Sequence, residues 1–237
     1  MSRPDDDATD RNSLGLATSF LELLRTRRSA RRFSDRPVPQ KIIETLIATA
    51  GTAPSGANKQ PWRFVAVQDA ELKQRIRQAA EVEEAKLYGA RANESWLKDL
   101  APLGTDSNKP FLEEAPWLVA VFKLNRDDEP TRKTDQVYYV NESVGIAIGM
   151  FLAAAHVAGL STLTHTPSPM KFLGEILGRP AHERAYMLIP IGYPANDAEV
   201  PHIERKPLER IMVVDAGCQP NAIDPTRSLP SSMPPSS

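Results

Sequence analysis

A short basic run could bind a phosphate group. Residues 27–32 read RRSARR and follow a segment with helical spacing of apolar residues. Guanidinium groups beside a hydroxyl can hold a dianionic phosphate through forked, charge-assisted hydrogen bonds. The candidate ligands are Arg27, Arg28, Ser29 and Arg31. The alternative is a solvated basic helix end, where positive side chains interact favourably with the helix dipole.

A second candidate lies in a turn between a predicted helix and a predicted strand. Residues 54–62 read PSGANKQPW. Gly and Ser beside prolines expose backbone N–H groups, which can donate to an anionic ligand oxygen or to the edge of a heterocycle. The residues concerned are Pro54, Ser55, Gly56 and Ala57. An ordinary helix-to-strand turn has the same composition, so this motif is moderately specific.

Two further groups of residues could bind a ligand, but their spacing indicates a site less strongly. Glu84 and Tyr88 are four residues apart and share one face of a predicted helix, and Lys109 follows beyond a loosely patterned segment. Taken alone, Glu84 and Lys109 are ordinary surface charges. Residues 162–167 read TLTHTP at the end of a predicted strand. Threonine is common in strands, so these hydroxyls alone do not indicate a site.

Composition limits the classes of partner and cofactor. The 237 residues carry 29 Lys and Arg against 30 Asp and Glu, a formal net charge of −1, so we expect neither a nucleic-acid nor a membrane partner. The single cysteine, Cys218, rules out an internal disulfide and favours a reducing compartment. The histidines lack the spacing of metal ligands. They are His156, His165, His182 and His202.

The amino-terminal segment and the apolar runs favour a cytoplasmic location. Residues 1–13 are polar and lack the apolar core of a signal peptide. The longest apolar run, residues 144–155, is shorter than the ~20 residues that span a bilayer. We therefore expect a soluble, cytoplasmic protein that acts on a small molecule.

The elements that must position these groups alternate between helix and strand, which predicts an α+β fold. Helices are expected at 16–27, after Pro39, and at 70–87, 135–159 and 169–177. Strands are expected at 62–67, 117–122, 160–164 and 185–191. Gly145 and Gly149 predict a close backbone approach to the long helix, at the centre of the fold or in a dimer interface.

Three segments are predicted from the loss of these patterns. Residues 1–15 form a disordered lead, and residues 215–237 form a disordered Pro- and Ser-rich tail, because neither can bury enough apolar area to offset chain entropy. Residues 16–214 form one domain. Within it, polar, Gly and Pro sequence over 91–108 predicts a mobile lid of about residues 84–110.

The first two motifs together resemble the start of the nitroreductase family. In this chain RRSARRF, then a predicted helix, then PSGANKQPW is similar to the FMN signature of that family. The chain is more closely similar to the iodotyrosine deiodinase branch over about residues 26–214. Four segments carry this resemblance: GTAPSGANKQPW, residues 81–109, AGLSTLTHTP, and GRPAHERAYMLIPIGYP with its continuation VPHIERKPLERIM. The resemblance implies a three-layer α/β/α fold with a mixed sheet flanked by helices, in a domain-swapped homodimer.

The resemblance also implies a role for each candidate residue. Glu84, Tyr88 and Lys109 would bind the zwitterion of a halotyrosine, and the Ala57 N–H would meet its phenol oxygen. The catalytic hydroxyl would be Thr164, which contacts flavin N5 and favours two one-electron steps over hydride transfer. FMN would be held by a larger set: Arg27, Arg28, Ser29, Arg31, Pro54, Ser55, Gly56, Thr164, His165, Thr166 and Arg205.

The implied activity is FMN-dependent reductive dehalogenation of 3-iodotyrosine and its relatives to tyrosine plus halide. No nicotinamide fingerprint of the Gly-rich strand-turn-helix kind is present, so a separate NAD(P)H-dependent flavin or ferredoxin reductase is the expected electron donor. One alternative is a general NAD(P)H-dependent nitroreductase or quinone reductase. Another is a non-catalytic flavin- or halotyrosine-binding protein.

Overall fold

The computed structural model describes residues 4–91, 94–201 and 203–215. The chain divides into two units, Met1–Pro201 and His202–Ser237. In the described part of the first unit the helices are α1 Pro4–Arg25, α2 Gln40–Gly51, α3 Ala70–Lys86, α4 Glu94–Leu100, α5 Phe111–Glu114, α6 Val140–Val157 and α7 Lys171–Ile176. The strands are β1 Trp62–Val67, β2 Trp117–Leu124, β3 Ser161–Thr162 and β4 Glu183–Gly192. The described part of the second unit contains a 3₁₀ turn, Leu208–Arg210.

The four strands form one sheet in the order β1-β2-β4-β3, and all three pairings are antiparallel. The parallel component in the described residues is a single bridge between Ser29 and Thr162. The expectation of a mixed sheet is therefore met only by this bridge.

Side-chain alternation along β2 produces the three layers. Val119 and Val121 face a core formed with α2 and α6, whereas Leu118, Ala120 and Phe122 face a second core. The second core includes residues of α3, α5 and α7. Successive side chains of a strand point to opposite faces, so a fully apolar strand needs helices on both sides. The predicted α/β/α arrangement is confirmed.

Helix ends follow the local signals in the sequence. Helix α2 begins directly after Pro39 and buries Ile43 and Leu46, as its apolar spacing predicts. Helix α3 begins after Asp69, whose carboxylate accepts from the Leu72 N–H at 2.8 Å and so satisfies one free donor of the first turn. Helix α7 is followed by Gly178, whose positive φ of 60° ends the helix.

The predicted lead and the predicted lid are both partly helical. Helix α1 begins at Pro4, so the expectation of disorder over residues 1–15 is wrong for residues 4–15. A helix already nucleated by a leucine-rich segment extends at low cost. In the predicted lid, a π-helical turn covers Leu87–Arg91, α4 follows, and a 3₁₀ turn covers Ala101–Leu103.

The long apolar helix α6 begins at Val140, five residues later than predicted, because Tyr139 has a positive φ of 46°. Among the residues that the structure describes, no atom lies within 4 Å of a Cβ added at Gly145 or Gly149, so the predicted close approach is not made there. By length and composition α6 could cross a membrane. Its buried face, which includes Val144 and Phe151, packs in the core against α2 and the sheet.

Candidate active site

The basic run lies beside the threonine motif at the edge of the sheet. Ser29 forms a parallel bridge with Thr162, and the Ala30 N–H donates to the Thr162 carbonyl at 3.2 Å. Arg28 donates from its guanidinium to the Pro201 carbonyl. The bridge pairs Ser29, one of the predicted phosphate ligands, with Thr162, which lies two residues before Thr164 in the chain. The structure thus joins two motifs that the sequence separates by more than a hundred residues.

The threonine motif alternates in exposure. Thr164 and Thr166 are exposed, whereas His165 between them is buried. His165 is fixed by two backbone hydrogen bonds with Leu188, both 2.9 Å long. The two hydroxyls are therefore open to a ligand on one side of the segment, and the imidazole points into the protein.

The turn between α2 and β1 has an unusual backbone. Ala57, Asn58 and Gln60 all have positive φ, at 49°, 52° and 50°. A non-glycine residue in this region costs free energy and is found where surrounding contacts hold it. Here the Gln60 N–H donates to the Ser55 hydroxyl at 2.9 Å, which closes the turn. Ala57, an exposed residue, thus belongs to a rigidly held segment.

A buried ion pair connects the same turn to the loop that follows β2. Lys59 lies 3.0 Å from the Asp127 carboxylate and also donates to the Thr134 carbonyl at 3.0 Å. Asp127 pairs with Arg132 at 3.1 Å as well. Burial favours a higher pKa for Asp127, but hydrogen bonds from Lys59 and from the Glu129 backbone outweigh it and lower the pKa. The sequence gives no signal for this pair, because Asp127 lies in an acidic loop whose composition is typical of solvated surface.

Gly56 packs against the turn that precedes α6. An added Cβ would lie 2.9 Å from the Tyr138 carbonyl oxygen and 3.0 Å from a ring carbon of Tyr139. The Gly56 N–H faces the hydroxyl of the buried Ser143 at 3.4 Å. Only glycine fits this contact without displacement of backbone. The position of Ala57 therefore depends on α6 as well as on Lys59.

The three predicted zwitterion ligands come together in the interior. The Lys109 ammonium lies 3.3 Å from the Glu84 carboxylate, and these residues are only 2% and 6% exposed. Lys109 also donates to the Thr105 hydroxyl at 3.1 Å and to the Asp106 carbonyl. The Tyr88 hydroxyl donates to the Thr105 carbonyl at 3.3 Å. Residues read from sequence as surface charges thus form a buried polar cluster.

Two residues assigned to the cofactor adjoin this cluster. The His165 imidazole Nε2 lies 3.9 Å from the Glu84 carboxylate, and burial, then Lys109 and Arg31, lower the pKa of His165 to about 3. Burial also lowers the pKa of Arg31, against the opposing influence of Tyr88. Burial raises the pKa of Tyr88, so its hydroxyl stays protonated at neutral pH. No sequence signal pointed to the contact between His165 and Glu84.

One predicted residue lies outside this unit. Arg205 is in the second unit, ahead of the 3₁₀ turn, so its role at the phosphate stays a prediction. The predicted contacts of the other residues with a cofactor also stay predictions. The cavity next to the cluster has a volume of about 460 Å³ and is lined in part by Arg31, Thr105, Asp106 and Phe111.

Comparison with known proteins identifies the class. Residues 24–193 match the family model described as the nitroreductase family. The chain belongs to the nitroreductase family, which agrees with its layered fold and with the position of its basic run.

Within that family the relatives are more specific. The chain is 52% identical over 201 residues to an iodotyrosine deiodinase from Haliscomenobacter hydrossis, covering 85% of this chain and 90% of the relative. It is 46% identical over 197 residues to iodotyrosine deiodinase 1 of Homo sapiens, covering 82% of this chain and 68% of the relative. A crystal structure of oxidized iodotyrosine deiodinase bound to FMN and 3-iodo-L-tyrosine matches with a TM-score of 0.72 and 29% identity, covering 84% of this chain and 99% of that chain. The resemblance to iodotyrosine deiodinases is confirmed.

Proposed function

We propose that this protein is an FMN-dependent enzyme that reductively removes halogen from a halotyrosine such as 3-iodotyrosine. The observation that carries the proposal is the buried cluster of Glu84, Tyr88 and Lys109. Charged groups are costly to bury, and a well-packed apolar set would stabilise the fold at least as well. A buried carboxylate opposite a buried ammonium is suited to a ligand that brings one charge of each sign, as an amino acid does.

The donor set also fits FMN. Guanidinium groups and a hydroxyl suit a dianionic phosphate. We assign the phosphate to Arg27, Arg28, Ser29 and Arg31, and the isoalloxazine edges to Thr164, Thr166 and the turn at 54–56. The bridge between Ser29 and Thr162 supports this assignment, because it brings the basic run and the exposed Thr164 hydroxyl to one edge of the sheet. When bound and reduced, FMN supplies the two electrons of the reaction.

The zwitterion set orients the substrate. Glu84 accepts from the substrate ammonium, and Lys109 and the Tyr88 hydroxyl donate to the substrate carboxylate. In the structure Glu84 and Lys109 pair with each other at 3.3 Å. The substrate exchanges this pair for two new ones, so no buried charge loses its partner.

The turn at Ala57 acts at the other end of the substrate. Its backbone N–H donates to the phenol oxygen and so favours the phenolate. Protonation of the halogen-bearing ring carbon gives a keto tautomer, and transfer of two electrons then expels halide and restores the aromatic ring. The overall change consumes one proton and two electrons and yields tyrosine plus halide. Thr164 is the residue assigned to contact flavin N5.

Enclosure of the cluster supports a lid. Thr105 and Asp106 contact the Lys109 ammonium directly. An amino acid can reach so deeply buried a lysine only if this segment moves aside and returns. Its closure over the bound substrate would exclude water and couple recognition of the zwitterion to completion of the site.

The functional unit is proposed to be a cytoplasmic homodimer. Helix α1 exposes Leu16 at 66% and Phe20 at 50%, and α6 exposes Ile146 at 47% between Gly145 and Gly149. Apolar faces of this kind are typical of protein interfaces. The proposed electron donor is a separate NAD(P)H-dependent flavin or ferredoxin reductase. Sedimentation analysis and reconstitution with such a reductase test the two proposals.

The activity is tested with purified holoprotein reduced by dithionite and mixed anaerobically with 3-iodotyrosine. The expected result is flavin reoxidation with stoichiometric release of iodide. Glu84→Gln should lose this reaction, whereas Glu71→Gln, an exposed carboxylate on the same helix, should retain it. No iodide from the wild type, with nitroaromatic reduction retained in both variants, would show a general nitroreductase instead.

A further inference from the structure

The family resemblance places His165 beside FMN, but its buried side chain has no task in the proposed mechanism. The Nε2 atom of His165 is buried and has no hydrogen-bond partner among the residues that the structure describes. Its imidazole is packed edge-on against Phe111, with 5.4 Å between ring centroids. Leaving a buried polar atom unpaired costs free energy, so such an atom requires an explanation. A ligand that supplies the missing partner is one.

The atom faces the carboxylate that we assign to the substrate ammonium. His165 Nε2 and the nearer Glu84 oxygen are 3.9 Å apart, too far to bond each other. One nitrogen at about 2.9 Å from both would bridge two acceptors at this spacing, with a donor angle that is bent but feasible. An ammonium has three N–H donors, and the Glu84 carboxylate alone does not use all of them.

We propose that the unprotonated Nε2 of His165 is a second acceptor for the α-ammonium of the substrate, beside Glu84. This inference rests on the proposed function and adds a residue that selects for the amino group. The tautomer in the complex carries its proton on Nδ1 and presents the Nε2 lone pair to the ligand.

The charges around the ring fit this role. Lys109 and Arg31 are the cations that act on His165, and Glu84 is the facing anion. A protonated imidazole would add a third cation and repel the incoming ammonium. Burial beside two cations keeps the ring neutral, so its lone pair remains available. A neutral acceptor also leaves the charge balance of the Glu84–Lys109 exchange unchanged.

The first test compares two ligands on the oxidised holoprotein, which binds without turnover. One is 3-iodotyrosine and the other its desamino analogue, 3-(4-hydroxy-3-iodophenyl)propionate. His165→Phe should weaken binding of the amino acid roughly tenfold to hundredfold, the range for a hydrogen bond to a charged group, and should change the analogue by less than about threefold. His182→Asn, a histidine variant outside the cluster, should alter neither. Equal losses for both ligands, or no loss for either, would overturn the proposal.

The second test reads the tautomer of the wild-type protein directly. In protein labelled with ¹⁵N-histidine, the Nε2 of His165 should show the chemical shift of an unprotonated nitrogen in the complex and should move when 3-iodotyrosine replaces the analogue. A protonated Nε2 in the complex would show that His165 donates to Glu84 instead, which contradicts the proposal. His165→Phe serves to assign the signal.

These experiments distinguish a failure of the proposed function from a failure of the role assigned to His165. A wild-type protein that does not bind 3-iodotyrosine would overturn the proposed function and this inference with it. A wild type that binds it and releases iodide, with His165→Phe binding equally well, would overturn the inference alone. A loss confined to the amino acid supports both.

Discussion

The neutral buried His165 makes the stability of the protein depend on pH. Its pKa is lowered from 6.5 to about 3 by burial and by the neighbouring cations Lys109 and Arg31. Between those values the unfolded chain binds a proton that the folded protein does not. The free energy of unfolding therefore rises with pH across this window. The contribution is fully present above pH 6.5 and is lost progressively as pH falls toward about 3.

The size of the effect follows from the unfolded pKa. Lowering the pH from about 7.5 to about 5.5 should lower the free energy of unfolding by about 1.4 kcal/mol through this group alone. The imidazole of the unfolded chain becomes mostly protonated over this range, whereas that of the folded protein stays neutral. In that range carboxylates titrate little in the unfolded chain, so they add little to the slope. Urea unfolding of the holoprotein at several pH values measures it.

A matched variant isolates the residue. His165→Phe retains a ring of similar size and should flatten the pH dependence between those limits by the same amount. An equal slope in wild type and His165→Phe would refute the conclusion that this imidazole is held neutral by the fold.

Three other perturbations test the site. Lys109→Met should lower the free energy of unfolding by about 3–5 kcal/mol by stranding the Glu84 carboxylate, and adding Glu84→Gln should restore much of it, as measured by denaturant titration. Gly56→Ala should cost roughly 1–3 kcal/mol through overpacking and should weaken substrate binding, since the added carbon meets a carbonyl oxygen at 2.9 Å. Lys59→Met should raise the pKa of the bound phenol, seen by ultraviolet titration of the complex, because Asp127 no longer anchors the Ala57 turn; an unchanged phenol pKa would mean that the turn holds itself.

Much of the fold could be predicted because its elements have strong local signals. The predicted bounds of β1 are the observed ones, the predicted start of α2 after Pro39 is confirmed, and α3 ends within a residue of its predicted end, because proline, aspartate and apolar spacing mark these elements. The start of α6 was placed too early because a left-handed residue, Tyr139, gives no signal in sequence. Helix α1 was cut short because polar composition alone does not distinguish an exposed helix from a disordered segment.

The residues of the site could likewise be predicted only in part. Residue types and spacing named Glu84, Tyr88 and Lys109 only once the family resemblance was added, since charged residues in a loose segment usually remain solvated. The structure brings these three residues together in one cluster, as the resemblance implies. The direction of a side chain was beyond sequence reasoning at His165, where alternation turns the imidazole inward between two exposed threonines. The anchor at Lys59 was missed because its partner, Asp127, is distant in the chain.

The buried pair of Glu84 and Lys109 explains how the proposed site would reject near relatives of its substrate. An amino acid replaces one ion pair by two and leaves each protein charge matched. A ligand without the ammonium brings a second anion, which competes with Glu84 for Lys109. A ligand without the carboxylate brings a second cation, which competes with Lys109 for Glu84. Each mismatch strands a charge in the interior, which costs about 3–5 kcal/mol where a buried pair is broken. Recognition at the amino acid end thus discriminates by the penalty for an unmatched charge, and the strength of the aromatic contact at the other end need not differ between accepted and rejected ligands.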